Sequence, residues 1–404
     1  MSESKQNETL SQGEAQVFRR RCRAFFDGLS PVGDGDTLEH AKNYLRELHA
    51  AGLAGLVYAN EHGGAGLTKE HDRIFREEKS QQAVRDGEFV ISHGMCLPVL
   101  NDFGTEEQKR RFMPDNISGN TMWCQMFSEP DAGSDVASLQ TKAERDGDEW
   151  VINGQKVWTT LAHRSDYVIL IARTNPDVVK HAGISMFIVD MLDPNVEIRP
   201  IHQIDGGTHF NEVFFTNTRV PVENLVGELN NGWNQATAML MYERVAIGSL
   251  GGRGGINQPQ FASLLALAQE NGKVENPVVR DQLMRLYAME TTKAMVALRS
   301  RAEVKAGKAP GPAGSLGKLL GSEIAWRYRE IAQSIAGPST IAWEEGAASE
   351  RVAKTVLNSF QAGIAGGTDE IQRNIIGDRV LGLPRDTSVD KGVPFNELKV
   401  GTQK

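Results

Sequence analysis

Cysteine is scarce in this chain, with three among 404 residues: Cys22, Cys96 and Cys124. They lie far apart and without metal-ligand spacing, so the sequence predicts neither a disulfide framework nor a zinc site. No apolar run approaches the ~18 residues that a membrane span needs. Residues Met1 to Gln16 are polar and acidic and show neither the apolar segment of a secretory signal nor an Arg-rich transit pattern, which makes the cytoplasm the expected location. An excess of positive charge is also missing. The net charge is -8, and the densest basic run, Arg19-Arg20-Arg21 with Arg23, precedes Phe25-Phe26 on a stretch read as an amphipathic helix. That run is read as a solvated helix face rather than a nucleic-acid surface. The nine histidines form no His-x-x-x-His or Glu-x-x-His pair for a metal, and no Gly-x-Ser-x-Gly elbow or Cys-His arrangement offers a nucleophile. His163 reads as a polar rim residue. The glycine-rich N-E-H-G-G-A-G-L lacks the Lys-Ser/Thr of a phosphate loop and is read as a turn.

The hydrophobic pattern changes twice along the chain. From about Gln12 to Gly119 it is helical: Phe18, Cys22, Phe25 and Phe26 share one face, as do Ala41, Tyr44, Leu45 and Leu48. Helices resume at Lys69 and start again at Thr105-Glu106-Glu107-Gln108. Between Met122 and about Val222 the runs shorten and become β-branched or aromatic, at Asp166 to Arg173, Gly183 to Asp190 and Glu212 to Thr216. Long helices are expected over Trp233 to Leu250 and Pro277 to Gly307, broken between Gly307 and Gly314, then over Leu316 to Ala336, Gly346 to Gln361 and Asp369 to Leu381. The expected division is 1–121 helical, 122–232 sheet, 233–385 helical and 386–404 tail. Long apolar-striped helices at this end also predict an oligomer.

Three stretches carry candidate chemistry. Met122 to Thr160 contains a turn-rich loop, Pro130 to Asp135, able to hold a ligand's polar edge. It continues into a predicted hairpin turning at Asn153-Gly154, which brings the Trp158 indole and the Thr159 and Thr160 hydroxyls to one strand end. On the helix from Trp233, steps of three and four through Ala236, Leu240, Glu243 and Ile247 put a carboxylate inside the apolar stripe. Burial there suits a general base, or equally a structural Glu paired with a buried Arg. Finally, Gly366-Gly367-Thr368-Asp369-Glu370 reads as a loop closing into a helix capped by Thr368, with or without a ligand at its first turn.

Taken together, E-P-D-A-G-S-D, N-G-Q-K-V-W-T-T and G-G-T-D-E-I-Q-R-N-I-I-G-D-R-V-L-G-L-P-R resemble the acyl-CoA dehydrogenase family in kind, order and spacing from about Gln12 to Arg385. The resemblance implies an α+β fold: an N-terminal helical domain, a central β-sandwich or barrel, and a C-terminal four-helix bundle. FAD is implied as cofactor, an acyl-CoA as substrate, and an electron-transfer flavoprotein as partner. Positions matching Gln125, Phe127, Ser128, Gly133 and Ser134 line the flavin in that family, and Ser134 also touches the acyl-CoA. Trp158, Thr159 and Thr160 match residues on the isoalloxazine, and Thr368 and Glu370 match the adenosine and pyrophosphate side. Tyr242 and Arg244 match a helix that contacts the CoA substrate. Many members keep their base immediately before the Gly-Thr of the last motif, where this chain has Gly366. A minority use a Glu on the earlier helix before Arg, which is Glu243 here.

Two segments depart from the family pattern. Glu270-Asn271-Gly272-Lys273 stands where an Arg-x-x-Phe-Gly signature is usual, with Arg280 roughly where a Gln is usual, and Ser334-Ile335-Ala336-Gly337-Pro338 replaces Gln-x-x-Gly-Gly. Such departures are similar to those of members that form heteromeric enzymes acting on bulky, steroid-derived acyl-CoAs. The expected activity is α,β-dehydrogenation of an acyl-CoA in a homo- or hetero-oligomer, dimer or tetramer. The alternatives are a half-site or non-catalytic subunit, and a flavin oxidase or monooxygenase on the same fold.

Overall fold

Short polar side chains set the helix starts of the N-terminal region. Ser11 and Glu14 form a reciprocal capping box at α1 (Gln12–Asp27), Asp36 accepts from Leu38 N at α2 (Thr37–Ala50), and Thr68 precedes α3 (Lys69–Lys79). After α4 (Leu97–Phe103), Thr105 and Gln108 cap α5 (Glu106–Ile117) in the same reciprocal way. The computed structural model describes residues 9–30, 36–82, 84, 86–249, 260–306, 313–385, 387 and 390–398. These fall into two compact units.

In the first unit, Phe18, Cys22 and Phe26 of α1 pack with Leu45, Leu48, Ile74 and Phe75. The basic run of α1 is not a purely solvated face. Arg19 and Arg23 reach Glu78 of α3 at 2.6 and 2.7 Å, and Glu78 is 2% exposed. A carboxylate buried that deeply needs paired cations, and α1 supplies them.

The sheet has eight strands in the order β6-β7-β3-β2-β4-β5-β8, with β1 beside β4. They are β1 (Trp123–Met126), β2 (Lys142–Asp146), β3 (Glu149–Thr160), β4 (Tyr167–Arg173), β5 (Ile184–Asp190), β6 (Val196–Pro200), β7 (Phe210–Pro221) and β8 (Leu225–Val226). Strands β2 and β4 meet only at Lys142 and Arg173, so the sheet folds into two layers there. Trp150, Ile152, Val213 and Phe215 of one layer meet Val168, Leu170, Phe187 and Val189 of the other, which is the sandwich expected. The alternate residues Ile169, Ile171, Met186 and Ile188 face the helical core instead. That is the period of two for a strand buried on both faces.

The hairpin predicted at Asn153-Gly154 does not form. Strand β3 runs straight through it, and the turn falls earlier, between Asp146 and Glu149, with Gly147 at φ 62°. Gly154 serves a different need. A Cβ there would lie 2.6 Å from Thr141 Cα, and the register with β7 slips at this point, so the glycine permits a bulge and a close approach rather than a reversal.

Helix α6 (Gly232–Ser249) follows the sheet and buries Ala236 and Met239 in the first unit's core. Of the helix predicted over Trp233 to Leu250, Leu250 and the side chain of Ile247 lie outside the described residues. The second unit holds α7 (Gln260–Glu270), α8 (Pro277–Lys305), α9 (Ala313–Ala336), α10 (Ala348–Asn358) and α11 (Asp369–Arg379). Four of these share a core: Leu264 of α7, Leu283 and Leu286 of α8, Ile331 and Ile335 of α9, and Val352 of α10. The sequence reading missed α7 altogether, and it placed the break between α8 and α9 at residues that lie mostly outside those described. No helix among the described residues is long and apolar enough to cross a membrane.

Candidate active site

The first-unit candidates cluster where β1 and β3 end and α6 passes. Gln125 sits on β1, paired in parallel register with Ile169, and its Nε2 donates to Glu243 Oε2 of α6 at 3.2 Å. Both side chains are half-buried, and Gln125 Oε1 is buried with no partner. Beyond β1, Phe127 turns into the core while Ser128 O accepts from Val157 N at 3.0 Å. This bond ties the loop to β3. Gly133 and Ser134 stand exposed at the loop's tip.

A buried ion pair holds this loop. Lys156 Nζ lies 2.8 Å from Glu129 Oε1 and 3.0 Å from Phe127 O, and Lys156 is fully buried. Glu129 also accepts from Gln140 N at 2.6 Å and Thr141 N at 2.9 Å. Burial alone would push the Glu129 carboxyl up. The Lys156 charge, its hydrogen bond and the two further donors outweigh that and leave it below the ordinary carboxylate range. Neither residue was singled out from the sequence. The available signal was phase, since Lys156 shares its face of β3 with Trp150 and Ile152, an inward position where a lysine must find a carboxylate.

Trp158 owes its presentation to a second slip in the β3–β7 register, between Lys156 and Thr159. It takes φ 60°, a left-handed conformation uncommon outside glycine, and its indole is 59% exposed, edge-on to Phe210 at 5.9 Å. Thr159 turns inward, with Oγ1 buried and unpartnered. Asn211 holds this strand end by donating to Thr159 O at 2.9 Å. Thr160 follows, paired with Phe210, and His163 Nδ1 lies 3.0 Å from Asn211 Oδ1, on the rim as read.

On α6, the Tyr242 hydroxyl is already engaged, donating to Asp102 at the end of α4. Burial, then the hydrogen bond to Asp102 and its charge, pushes its ionisation well above the ordinary tyrosine value. Arg244 continues the helix, but its side chain lies outside the described ones.

The remaining candidates belong to the second unit. Thr368 caps α11, its Oγ1 accepting from Ile371 N at 3.3 Å, and Glu370 is exposed beside Arg373. The loop before it is fixed by Lys318, which the sequence did not single out, and by Gln372 of the motif itself. Lys318 of α9 donates to Asp369 at 3.0 Å and to Ala362 O at 2.7 Å, and Gln372 donates to Gly366 O at 3.2 Å. Gly366 and Gly367 are both left-handed, at φ 68° and 86°, so a glutamate at position 366 would be strained in this backbone. Arg280 lies on the surface near the start of α8, paired with Glu275 at 3.0 Å. The two segments that depart from the family pattern touch each other, Lys273 Nζ donating to Ser334 O at 2.8 Å.

One group among the described residues has metal-like proximity, Glu61, His62 and Glu106, with ligand atoms within 4.8 Å. Glu106 is bonded there to both His62 and Lys109, at 3.0 Å each.

The first unit thus brings the Glu243 carboxylate of α6 to Gln125 on β1, and comparison with known proteins places this scaffold. Residues 12–120, 124–218 and 230–381 match the N-terminal, middle and C-terminal domains of acyl-CoA dehydrogenases. Acyl-CoA dehydrogenase IpdE1 of Mycobacterium tuberculosis is 38% identical over 360 residues, covering 88% of this chain and 91% of that protein. A solved structure described as the Tcur3481-Tcur3483 steroid ACAD superposes with a TM-score of 0.75 at 27% identity, covering 93% of this chain and 99% of its own. The ChsE4-ChsE5 complex of Mycobacterium tuberculosis gives 0.71 at 28% identity, covering 94% and 100%. The chain belongs to the acyl-CoA dehydrogenase family, whose members are flavoprotein oxidoreductases.

Proposed function

We propose that this enzyme dehydrogenates the α,β carbon–carbon bond of an acyl-CoA thioester, with Glu243 as the base and FAD as the cofactor. The observation that carries the reading is the Gln125–Glu243 contact, which orients a carboxylate of α6 at the end of β1. The left-handed backbone at Gly366 supports it, because the alternative position for a base is unsuited to a side chain.

The residues present suit a flavin. Thr159 Oγ1 at the end of β3 and Gln125 Oε1 on β1 are buried polar atoms without partners, and Trp158, next to Thr159 in sequence, offers an exposed flat ring. Phe127, Ser128, Gly133, Ser134 and Thr160 would complete the ring side. When bound, the flavin supplies the hydride acceptor. Ser134 and Tyr242, with Arg244, would position the thioester, and Glu243 would take the α-proton. Electrons would then pass to an electron-transfer flavoprotein.

The test is anaerobic addition of acyl-CoAs of differing length and branching to the yellow protein. Flavin absorbance should bleach, and Glu243→Gln should slow bleaching by roughly 10²–10⁴-fold while flavin stays bound. A Gln variant that reduces its flavin at the wild-type rate sinks the assignment.

A second reading is favoured by the altered segments around Lys273 and Ser334 and by structural neighbours named as pairs of chains, the Tcur3481-Tcur3483 steroid ACAD and the ChsE4-ChsE5 complex. It is that the chain shares its site with an unlike partner chain and acts on a bulky, steroid-type acyl-CoA. Colourless protein that turns yellow only on co-expression with a neighbouring homologue would favour it.

A further inference from the structure

The connection from β4 to β5, Thr174 to Gly183, is closed on itself by Thr174 N and Asn175 N, which both donate to Gly183 O at 2.9 and 3.1 Å. A Cβ on Gly183 would fall 1.8 Å from Asn175 O, so this closure requires glycine. Three side chains lead out of the loop or its base toward the candidate site. Lys180 Nζ pairs with Asp135 at 2.8 Å, at the end of the exposed Gly133-Ser134 tip. Arg173 Nη2 donates to Ala137 O at 2.6 Å and Leu139 O at 3.3 Å, just beyond that tip. His181 packs edge-on to Trp233 at 4.6 Å, on the helix that carries Glu243.

The far end of the chain lies on this same loop. Pro394 bridges to Val179, Phe395 N donates to Val178 O at 2.8 Å, Asn396 N to Pro176 O at 3.0 Å, and Asn396 Nδ2 to Asp177 Oδ1 at 2.8 Å. Phe395 is 7% exposed, and the Arg173 guanidinium sits 3.7 Å from the centre of its ring. Arg173 is itself buried, with Nε unpartnered, so the aromatic face is part of what compensates its charge. Lys180 completes the link, sharing one ammonium between Asp135 of the tip and Asp390 of the tail at 2.5 Å.

We propose that residues 390–398 form a strap that fixes the 174–183 loop, and that Lys180 and Arg173 are positioning residues passing this restraint to the acyl-CoA loop at Ser134. The proposal rests on the functional reading above for what that loop binds. The strap itself is tested by hydrogen exchange, which needs no substrate.

In the flavin-loaded full-length enzyme, Phe395→Ala and Lys180→Met should each speed amide exchange across residues 134–140 by about tenfold, leaving the centre of β4 unchanged. With an accepted acyl-CoA, KM should rise about tenfold with kcat within about twofold, and Lys180→Arg should restore most of the loss. Asp390→Asn, a mild change at the tail alone, should move exchange in the same direction. Unchanged exchange over 134–140 in both Phe395→Ala and Asp390→Asn overturns the strap. So does acceleration spread equally over β3 and β4, which marks general destabilisation. If no acyl-CoA bleaches the wild-type flavin, the functional reading fails while the exchange pattern still decides the strap.

Discussion

The side chain that does most to shape the candidate site is a lysine that touches no ligand-facing surface. Lys156 and Glu129 replace their lost hydration with each other and with Phe127 O, Gln140 N and Thr141 N. Removing one member of such a pair strands the other charge, so Lys156→Met should lower unfolding free energy by about 3–5 kcal/mol. Urea unfolding measures this, and adding Glu129→Gln should recover part of the loss. Gln125 works at shorter range. Replacing it with Leu removes the donor that orients Glu243, and stopped-flow flavin reduction, measured per bound flavin, should slow by about tenfold. Wild-type reduction by that variant would show that the 3.2 Å contact does not orient the base.

At the scale of elements, what the sequence made legible was local, and what it hid was the partner across a gap. The helix start after Thr105 followed from capping chemistry that lies within four residues. The hairpin did not, because two Gly-containing turn signals compete between Glu144 and Lys156. The loser, Gly154, is needed by Thr141, which a strand-by-strand reading cannot see. Gln108 shows the same limit. Its capping role was readable, yet its Nε2 also donates to Glu223 O at 2.6 Å and Leu225 O at 2.8 Å, joining α5 to the end of the sheet. Gln108→Ala should therefore cost more than a cap alone, about 1–3 kcal/mol, because two carbonyls lose their donor. Comparing its melting temperature with that of Thr105→Ala, a cap change of about 1 kcal/mol, separates the two roles.

Across the whole molecule, the central contact of the site joins residues 118 apart in sequence. The motifs at either end were readable, but their meeting depends on how β1 registers on β4 and how α6 returns over it. Global behaviour with pH follows from two buried carboxylates. Arg23 and Arg19 bond to Glu78 and hold it below the ordinary range, and Glu129 is held low despite its burial. A folded-state value below the unfolded one gives stability that is complete above the unfolded pKa and is lost as pH falls through the folded value. Melting temperature should thus hold from pH 7 to about 5 and fall below about 4. Calorimetry that finds the fall unchanged in Lys156→Met would remove Glu129 from the account. One feature of β3 reaches beyond structure. The exposed indole of Trp158, set out by its left-handed backbone, is an emitter at the proposed flavin face. The difference in fluorescence between the native protein and Trp158→Phe becomes an optical gauge of cofactor loading, readable before any substrate is known.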